Sequence, residues 1–182
     1  MQIERFEIEG LLLIKPRVFE DNRGYFFESF NKQDFFAHAG LDLNFVQDNE
    51  SMSNAGVLRG LHMQAPPHEQ GKLVRVVQGK VLDVAVDIRK KSPTYGQYHS
   101  VILSGENKHQ FYIPPGFAHG FAVLENKTVF CYKCTGYYNK ESEFSIKWND
   151  ADIKIDWGIK IPILSEKDEK NSVSLNTFNS PF

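Results

Sequence analysis

Two histidines stand alone in apolar, strand-like stretches of the sequence, and both are residues that could do chemistry. His62 lies in VLRGLHMQ (57–64), close to Arg59. His119 lies in GFAHGF (116–121), which follows two prolines and otherwise has the character of a turn into a buried strand. A histidine in such a place can fill the core, bind a metal or transfer protons near neutral pH. The residues around each histidine indicate which of these three roles applies.

The spacing around His119 bears on the metal alternative. PPGFAH (114–119) follows the P-x-G-x-x-H pattern of the second motif of cupin jelly rolls. Cupin metal sites normally add an H-x-H pair and a carboxylate, because a divalent ion needs three or four nitrogen and oxygen ligands. Here Gln64 replaces the second histidine of the pair, and His68 and Glu69, which could compensate, lie in a proline-rich loop of undefined direction. We therefore expect no bound metal, which leaves both histidines available for proton transfer.

Cys131 and Cys134 form a C-x-x-C pair, which can be a redox motif or half of a zinc site. They lie in TVFCYKCTGYY (128–138), whose β-branched and aromatic residues favour a strand. Residues three apart on a strand point to opposite faces, and the chain has no second cysteine pair. We expect neither redox nor zinc chemistry from them.

The composition narrows the class of protein. The chain has 182 residues, of which 41% are hydrophobic and 13% aromatic, enough for the core of one domain spanning 1–182. Its net charge of -2 gives no global basic field, which argues against a nucleic acid partner but leaves room for a local pocket that binds a small anion. The first residues lack the apolar core of a signal peptide, and no run reaches membrane-spanning length. We expect a soluble cytoplasmic protein that binds neither nucleic acid nor membrane.

Short strand-like runs broken by turn residues dominate the chain and predict an all-β sandwich or barrel. The strongest signal is KLVRVV (72–77), a turn at Gln78-Gly79 and KVLDVAVDI (80–88), which we interpret as a hairpin. The best helix is NKQDFFAHAG (31–40), with Asn31 as N-cap and Gly40 as the stop. The polar stretch 165–182 is expected to wrap the surface. Further strands are predicted in FVQDNESMS (45–53), HSVILS (99–104), HQFYIPP (109–115), GFAVLE (120–125), FSIKWND (144–150) and IKIDWGI (153–159).

Several stretches, taken in order, resemble the dTDP-4-dehydrorhamnose 3,5-epimerase family. They cover nearly the whole chain and include QDNESMSNAGVLRGLHMQ, QGKLVRVVQGKVLDVAVDIRKKSPTYGQ, IPPGFAHGFAVL, YKCTGYY, IKWND and LSEKD. The resemblance implies a cupin-type double-stranded jelly roll with short peripheral helices, and a homodimer in which N-terminal strands can be exchanged. It also implies a reaction without metal or cofactor that inverts carbons 3 and 5 of dTDP-4-dehydro-6-deoxy-D-glucose. The product would be dTDP-4-dehydro-L-rhamnose, a precursor for lipopolysaccharide or surface polysaccharide.

Inverting a carbon beside a ketone needs a base on one face, a group that stabilises the enolate, and an acid on the other face. The resemblance assigns the base to His62, the orientation of its ring to Asp168, proton donation to Tyr132 and stabilisation of the enolate oxygen to Lys72. The residues alone leave other roles open. His62 could fill the core, Asp168 could form a capping box with Ser165, Tyr132 could pack in the core, and Lys72 could be a strand-edge charge.

The resemblance also implies which residues bind the substrate. His119 would bind the sugar or the charge that develops at its carbonyl, with a core histidine as the alternative. Arginines suit the diphosphate, the 47–49 stretch suits the pyrimidine edge, and an aromatic ring can stack on thymine. Solvated surface charges are the alternative for Arg23, Glu28, Glu143 and Lys167. The full set of implied nucleotide contacts is Arg23, Glu28, Gln47, Asp48, Asn49, Arg59, Tyr138, Glu143 and Lys167.

Three other functions remain open for the same sequence. A relative that inverts only one carbon, or that acts on another dTDP-4-keto-6-deoxysugar, would use the same groups. A metal-dependent cupin such as a dioxygenase would bind iron or zinc tightly. A sugar-binding protein without catalysis is disfavoured by the retention of His62, Lys72, Tyr132 and Asp168. Met63 stands where an aromatic residue is common in the family, but this departure touches neither the base nor the acid.

Overall fold

Two facing β-sheets make up most of the protein, and the computed structural model describes all residues from 1 to 182. In spatial order, the six-stranded sheet contains β1 (Gln2–Arg5), β2 (Leu12–Lys15), β10 (Gln110–Ile113), β7 (Lys72–Gln78), β12 (Thr128–Cys134) and β5 (Gln47–Ser53). The five-stranded sheet contains β13 (Glu143–Ser145), β6 (Leu58–Gln64), β11 (Phe117–Val123), β8 (Lys80–Asp87) and β9 (Tyr98–Ser104). A separate hairpin pairs β3 (Phe19–Asp21) with β4 (Gly24–Phe26). The all-β, cupin-type jelly roll predicted from the sequence is confirmed.

The space between the two large sheets holds the main hydrophobic core. Inward-facing residues include Val74 of β7, and Val81 and Ala85 of β8. Because side chains alternate along a strand, their sequence neighbours point outward. The C-terminal segments cover the outer face of the five-stranded sheet, and so β11 is buried along its whole length. The polar cavity described below interrupts this core at one end of the two sheets.

The turn at Gln78-Gly79 joins strands of different sheets, so the predicted hairpin is wrong although both strands are present. β7 pairs with β10 and β12, whereas β8 pairs with β11 and β9. Gly79 has a φ of 80°, and a Cβ there would lie 2.2 Å from Thr128 Oγ1, so this turn requires glycine. Placing the two strands in separate sheets lets their inward-facing side chains pack face to face, which a pair within one sheet does not allow.

Helices are few and short. The predicted helix is confirmed as α1 (Lys32–Ala39), which covers the outer face of the six-stranded sheet. Asn31 accepts hydrogen bonds from the backbone of two residues in the first turn, and Gly40 ends the helix in the left-handed region with a φ of 75°. A second helix, α2 (Glu166–Lys170), begins after Ser165, whose capping box with Asp168 is one of the roles that the sequence leaves open for Asp168. No helix of the chain has the length and apolar character that crossing a bilayer requires.

Two strand predictions near the C-terminus fail in whole or in part. The strand predicted over 144–150 ends at Ser145, and 153–159 is irregular and forms no strand. Trp157 in this second stretch is buried against the five-stranded sheet, and its Nε1 donates a hydrogen bond to the carbonyl oxygen of Trp148 at 2.8 Å. The apolar side chains of the stretch are therefore buried as an irregular cover over a sheet, without strand pairing.

Candidate active site

A polar cavity of about 290 Å³ lies between the two large sheets. It is found at the end where β7 begins and where β12 and β6 end, so residues near these strand termini reach into it. Three of the four residues that the resemblance assigns to catalysis line it, and the fourth, Asp168, contacts one of them. Its lining consists of Gln47, Asn49, His62, Met63, Gln64, Gln70, Lys72, Tyr132, Cys134, Tyr138 and Glu143.

The imidazole of His62 is held by the carboxylate of Asp168. Nε2 of His62, on β6, hydrogen-bonds Oδ1 of Asp168 on α2, 106 positions further along the chain. Burial raises the pKa of Asp168, but the hydrogen bonds from His62 and Ser165 outweigh burial and hold this pKa below its ordinary value. The carboxylate is therefore ionised near neutral pH and can only accept a hydrogen bond. Consequently Nε2 carries the proton, and Nδ1 keeps a free lone pair.

Asp168 also takes part in the cap of α2. The hydroxyl of Ser165 accepts a hydrogen bond from the backbone N–H of Asp168 at 3.1 Å and donates one to Oδ2 of the same residue at 2.7 Å. The cap uses the backbone and one carboxylate oxygen, which leaves the other oxygen for His62. The capping interaction and the contact with His62, which the sequence presents as alternatives, are both present.

Tyr132 enters the cavity from the opposite wall. His62 belongs to the five-stranded sheet and Tyr132 to the six-stranded sheet, where Phe130 and Cys134 share its inward face. No hydrogen bond within the chain engages the hydroxyl of Tyr132. Burial raises the pKa of Tyr132, and the positive charge of Arg59 acts in the opposite direction without cancelling this effect. The phenol therefore stays protonated at neutral pH and can donate its proton.

Lys72 places an unpaired amine in the same cavity. It begins β7 and lies on the inward face, two residues before Val74. Its amine forms no ion pair or hydrogen bond within the chain. Burial lowers the pKa of Lys72 below its ordinary value, while the negative charges of Asp83 and Glu143 act against this effect. A cation without a protein partner is available to an anion that enters the cavity.

Polar side chains from four segments meet at the rim of the cavity. The hydroxyl of Tyr138 donates a hydrogen bond to Glu143 at 2.9 Å, and Lys167 forms an ion pair with the same carboxylate. The backbone N–H of Tyr138 donates to Oε1 of Gln47 at 3.1 Å, and Nε2 of Gln47 donates to Asn49 at 3.1 Å. Burial raises the pKa of Glu143, but the bonds from Lys167 and Tyr138 outweigh it and leave this pKa below its ordinary value. The rim is therefore fixed by a network that joins β5, β13, α2 and the segment after β12.

His119 lies beside His62 in the five-stranded sheet but does not line the cavity. The two residues are direct partners of β11 and β6, and Nε2 of His119 lies 2.9 and 3.0 Å from the two carboxylate oxygens of Asp83. Burial lowers the pKa of His119. Its Nδ1 makes no hydrogen bond, yet no fully buried side-chain nitrogen or oxygen of the chain lacks a partner, so Nδ1 is not fully enclosed. This position fits a core histidine, and any contact with a substrate would go through Nδ1.

The chain brings no three His, Cys, Asp or Glu side chains together as a metal-binding group. Gln64, which stands in place of the second histidine of the cupin pair, lines the cavity, and its Oε1 accepts a hydrogen bond from the backbone N–H of Asn139 at 2.9 Å. His68 and Glu69 do not line the cavity. Gln64 is therefore already used to hold the segment after β12.

Comparison with known proteins settles the family. The family model for dTDP-4-dehydrorhamnose 3,5-epimerase matches residues 5–175. The chain belongs to this epimerase family. A dTDP-4-dehydrorhamnose 3,5-epimerase of Shigella flexneri is 52% identical over 168 residues, which cover 92% of this chain and 93% of that protein.

Solved structures of dTDP-sugar epimerases agree with this assignment. The crystal structure of dTDP-6-deoxy-D-glucose-3,5-epimerase from Legionella pneumophila, in complex with dTDP-4-keto-L-rhamnose, is 51% identical with a TM-score of 0.93, covering 98% of this chain and 94% of that one. A more distant structure is a 3'-monoepimerase from Streptomyces bikiniensis in complex with dTDP-quinovose. It is 33% identical with a TM-score of 0.89 and covers 97% of this chain and 88% of its own.

Two of the residues that the epimerase resemblance assigns to the nucleotide lie outside the cavity on the large sheets. Asp48 points to the outer face of β5, where Lys133 donates hydrogen bonds to both carboxylate oxygens at 3.0 Å. Arg59 is exposed on β6 and donates a hydrogen bond to Ser53 Oγ at 3.1 Å. The C-x-x-C cysteines divide in the same way, since Cys134 lines the cavity and Cys131 lines a groove on the outer face.

Two further residues implied by the epimerase resemblance lie near the N-terminus. Arg23 is on the β3–β4 hairpin, where its guanidinium binds Asp21 with a shortest distance of 2.6 Å. Glu28 lies between this hairpin and α1, and accepts a hydrogen bond from Asn31 Nδ2 at 3.3 Å. Neither side chain lines the cavity of its own chain.

Sequence reasoning missed several polar groups of the epimerase interior. Gln70 and Cys134 line the cavity, and Asp83 is buried next to it with His119 as partner. A signal for Asp83 exists, because it interrupts the inward-facing apolar series of β8 between Val81 and Ala85. A carboxylate at such a position is expensive to bury without a partner. The loop position of Gln70 offers no comparable signal.

Proposed function

We propose that this protein inverts carbons 3 and 5 of dTDP-4-dehydro-6-deoxy-D-glucose, giving dTDP-4-dehydro-L-rhamnose, without a metal ion. The observation that carries the proposal is that a base held by a carboxylate and an unpaired phenol line one cavity from opposite walls. Inversion needs two proton-transferring groups on opposite faces of the sugar, and this arrangement supplies them.

His62 acts as the base. The ketone at carbon 4 makes the hydrogens on carbons 3 and 5 acidic, and Nδ1 of His62 takes the proton while the electron pair of the C–H bond moves into an enolate. Asp168 stabilises the imidazolium that forms, because its ionised carboxylate already binds Nε2. The negative charge that develops on the oxygen at carbon 4 faces the ammonium of Lys72.

Tyr132 acts as the acid. As the enolate returns to a ketone, the carbon takes the phenol proton from the face opposite His62, and the configuration is inverted. Burial raises the pKa of Tyr132, which keeps the phenol protonated until the enolate forms. His62 then gives up the abstracted proton and Tyr132 regains one, both by exchange with water, so that no proton is gained or lost over the cycle.

The nucleotide is bound at the rim of the cavity and beyond it. Gln47 and Asn49 offer amide donors and acceptors for the pyrimidine edge, and the half-exposed ring of Tyr138 is available for stacking. Arg59 and Asp48 lie on the two strands next to the rim, with the arginine suited to the diphosphate. We assign peripheral contacts to Glu143 and Lys167, and assign to His119 a polar contact with the sugar through Nδ1.

Arg23 and Glu28 would complete the nucleotide site of a second copy in a homodimer. The β3–β4 hairpin that carries Arg23 has exposed aromatic rings, with Phe19 50% exposed, Tyr25 55% and Phe26 68%. A two-stranded hairpin with exposed rings is unstable alone and is suited to packing against a partner. We infer that the hairpin of one protomer reaches the cavity mouth of the other.

An epimerase that inverts a single carbon is the second candidate, favoured by the likeness to the 3'-monoepimerase. Proton NMR of dTDP-4-dehydro-6-deoxyglucose with the enzyme in deuterated water separates the two. The proposal predicts deuterium at both carbon 3 and carbon 5 and a product of L-rhamno configuration. Exchange and inversion at only one carbon would instead show that the protein is a monoepimerase.

We place the reaction in the cytoplasm, with the whole chain 1–182 as one catalytic domain and the product feeding a rhamnose-containing surface polysaccharide. The two cysteines are free thiols, which suits a reducing compartment.

A further inference from the structure

Residues 136–139, which we call the rim segment, lie at the rim of the cavity between β12 and the short 3₁₀ turn Lys140–Ser142. The rim segment belongs to no strand or helix, and the backbone of 136–138 forms no hydrogen bond with another backbone group. Irregular backbone keeps a single conformation when side chains or water satisfy its polar groups. The position of the rim segment therefore depends on the side chains that contact it.

Two glutamine side chains, one from each large sheet, accept hydrogen bonds from the end of the rim segment. Oε1 of Gln64, on β6, accepts from the backbone N–H of Asn139 at 2.9 Å. Oε1 of Gln47, on β5, accepts from the backbone N–H of Tyr138 at 3.1 Å. Gln64 is only 6% exposed, so its amide is held in place by the packing around it. The two sheets thus hold two consecutive peptide groups of the rim segment.

A third glutamine, Gln70, holds the start of the rim segment. Its Nε2 donates a hydrogen bond to the carbonyl oxygen of Gly136 at 2.7 Å. A Cβ at position 136 would lie 3.0 Å from the carbonyl oxygen of Glu69, so the rim segment packs closely against the loop that carries Gln70. Gln47, Gln64 and Gln70 all line the cavity, and each contacts the backbone of the rim segment rather than a side chain.

The ring of Tyr138 is the part of the rim segment that is available to a ligand. It lines the cavity and is 52% exposed. Its hydroxyl donates a hydrogen bond to Glu143 at 2.9 Å, which fixes the far end of the ring but not the backbone at its other end. A half-exposed ring binds a flat base more tightly when its backbone is ordered beforehand, because ordering it during binding reduces the affinity.

We propose that Gln64 and Gln70 are positioning residues for nucleotide binding, which hold the rim segment so that the ring of Tyr138 is in place to stack on the base of the substrate. That this ring meets a pyrimidine rests on the proposed function, whereas the contacts between the glutamines and the rim segment do not. Because both residues act on the nucleotide end of the site, their loss should raise KM more than it lowers kcat.

Hydrogen exchange of the Asn139 backbone amide, followed by NMR in ligand-free protein, tests whether Gln64 holds the rim segment. Gln64→Met keeps the approximate size of the side chain and removes the acceptor, so we expect exchange to become about tenfold faster. Gln64→Glu keeps an acceptor oxygen and should restore most of the protection. Gln33→Met, at an exposed position of α1, is the matched control and should exchange as the wild type does. Unchanged exchange in Gln64→Met overturns the proposal.

The affinity for dTDP, measured by calorimetry, tests whether the ring of Tyr138 depends on this contact. In Gln64→Met the Kd should rise about two- to tenfold, which is the ratio that one hydrogen bond accounts for. In Tyr138→Ala the ring is absent, so the further change Gln64→Met should alter the Kd little. If the two losses simply add in the double variant, Gln64 acts independently of the ring and the proposal is wrong.

Gln70→Met covers the case in which Gln64→Met does not fold. It removes the donor to Gly136 and should weaken dTDP binding in the same way, again only while the ring of Tyr138 is present. A wild-type protein that binds dTDP no better than Gln64→Met and Gln70→Met overturns the proposal. A wild-type protein that binds no dTDP would refute the proposed function and the nucleotide role with it, while hydrogen exchange still shows whether the glutamines hold the rim segment.

Discussion

The carboxylate of Asp168 joins His62 to Ser165, accepting from the imidazole through Oδ1 and from the hydroxyl through Oδ2 at 2.7 Å. A strand residue and a helix cap are thereby fixed to one side chain. The orientation of the His62 ring consequently depends on how α2 starts, even though α2 is only five residues long.

Replacing Asp168 by Ala should weaken proton abstraction while leaving nucleotide binding intact. The substitution removes the partner that fixes the proton of His62 on Nε2, so less of the imidazole is in the reactive tautomer. The rate of hydrogen exchange at carbons 3 and 5, measured by NMR in deuterated water, is the readout, with dTDP affinity measured in parallel. Ser165→Ala is the control. It should lower the free energy of unfolding by about 1 kcal/mol through loss of the cap and retain most of the exchange rate. If Asp168→Ala exchanges as the wild type does, the residue only caps the helix.

The fall in kcat at high pH should be caused by deprotonation of Lys72 and not of Tyr132. Burial lowers the pKa of Lys72 from its ordinary 10.5 and raises that of Tyr132 from 10.0. These shifts bring the two pKa values closer or reverse their order, and we expect Lys72 to lose its proton first as the pH rises, so that kcat falls at a pH below 10.5. In Lys72→Arg the guanidinium stays charged, so we expect a smaller kcat whose alkaline decline moves to higher pH. Lys80→Arg, on an exposed ion pair, should leave the profile unchanged. If kcat of Lys72→Arg declines at the same alkaline pH as kcat of the wild type, the decline does not come from Lys72.

The exposed rings of the β3–β4 hairpin should be needed for dimerisation. Phe26→Asp places a charge on a ring position that is 68% exposed in the single chain, and burying that charge at an interface would be costly. We expect this variant to be monomeric by analytical ultracentrifugation and to bind dTDP more weakly. Phe36→Asp, on the exposed face of α1, is the matched control and should remain dimeric. Should Phe26→Asp form the same dimer as the wild type, the hairpin is not part of the interface.

Activity should survive removal of metal ions. Gln64 occupies the position of a cupin ligand and holds Asn139 instead, and no cluster of three ligands forms in the chain. Dialysis against a chelator, followed by elemental analysis and assay, should give an active protein without stoichiometric metal. Iron or zinc at one per chain, with activity lost on its removal and restored on its return, would contradict this expectation.

The sequence predicts the strands of this fold better than their partners. The regular spacing of apolar residues in β7 and β8 predicts two buried strands, and both strands are present. Alternation carries no information about which strand lies alongside, so a turn between two sheets, as at Gln78-Gly79, has the same pattern as a hairpin. The stretch 153–159 fails for a related reason, since isolated apolar side chains can be buried without strand pairing.

The residues of the candidate site are predicted from the family resemblance more than from the spacing of residues in the sequence. The contact between His62 and Asp168 spans 106 positions, and nothing in either stretch indicates the other. The charge of Asp83 within an apolar strand was a readable signal, but its partner His119 lies 36 positions away on another strand. Contacts of this range follow from the topology of the two sheets, which local patterns do not encode.

The central claim is that Tyr132 returns the proton from the wall opposite His62, and Tyr132→Phe tests it most directly. The change keeps the ring that packs against Phe130 and removes only the acid. The measurement is proton NMR of dTDP-4-dehydro-6-deoxyglucose in deuterated water, following deuterium incorporation and configuration at carbons 3 and 5 in the same sample. We predict that Tyr132→Phe incorporates deuterium at a reduced rate and forms little inverted product. His62→Ala, the comparison variant, should lose exchange at both carbons by about a hundred- to ten-thousand-fold. Inversion by Tyr132→Phe at the wild-type rate would contradict the account, because the acid would then be another group.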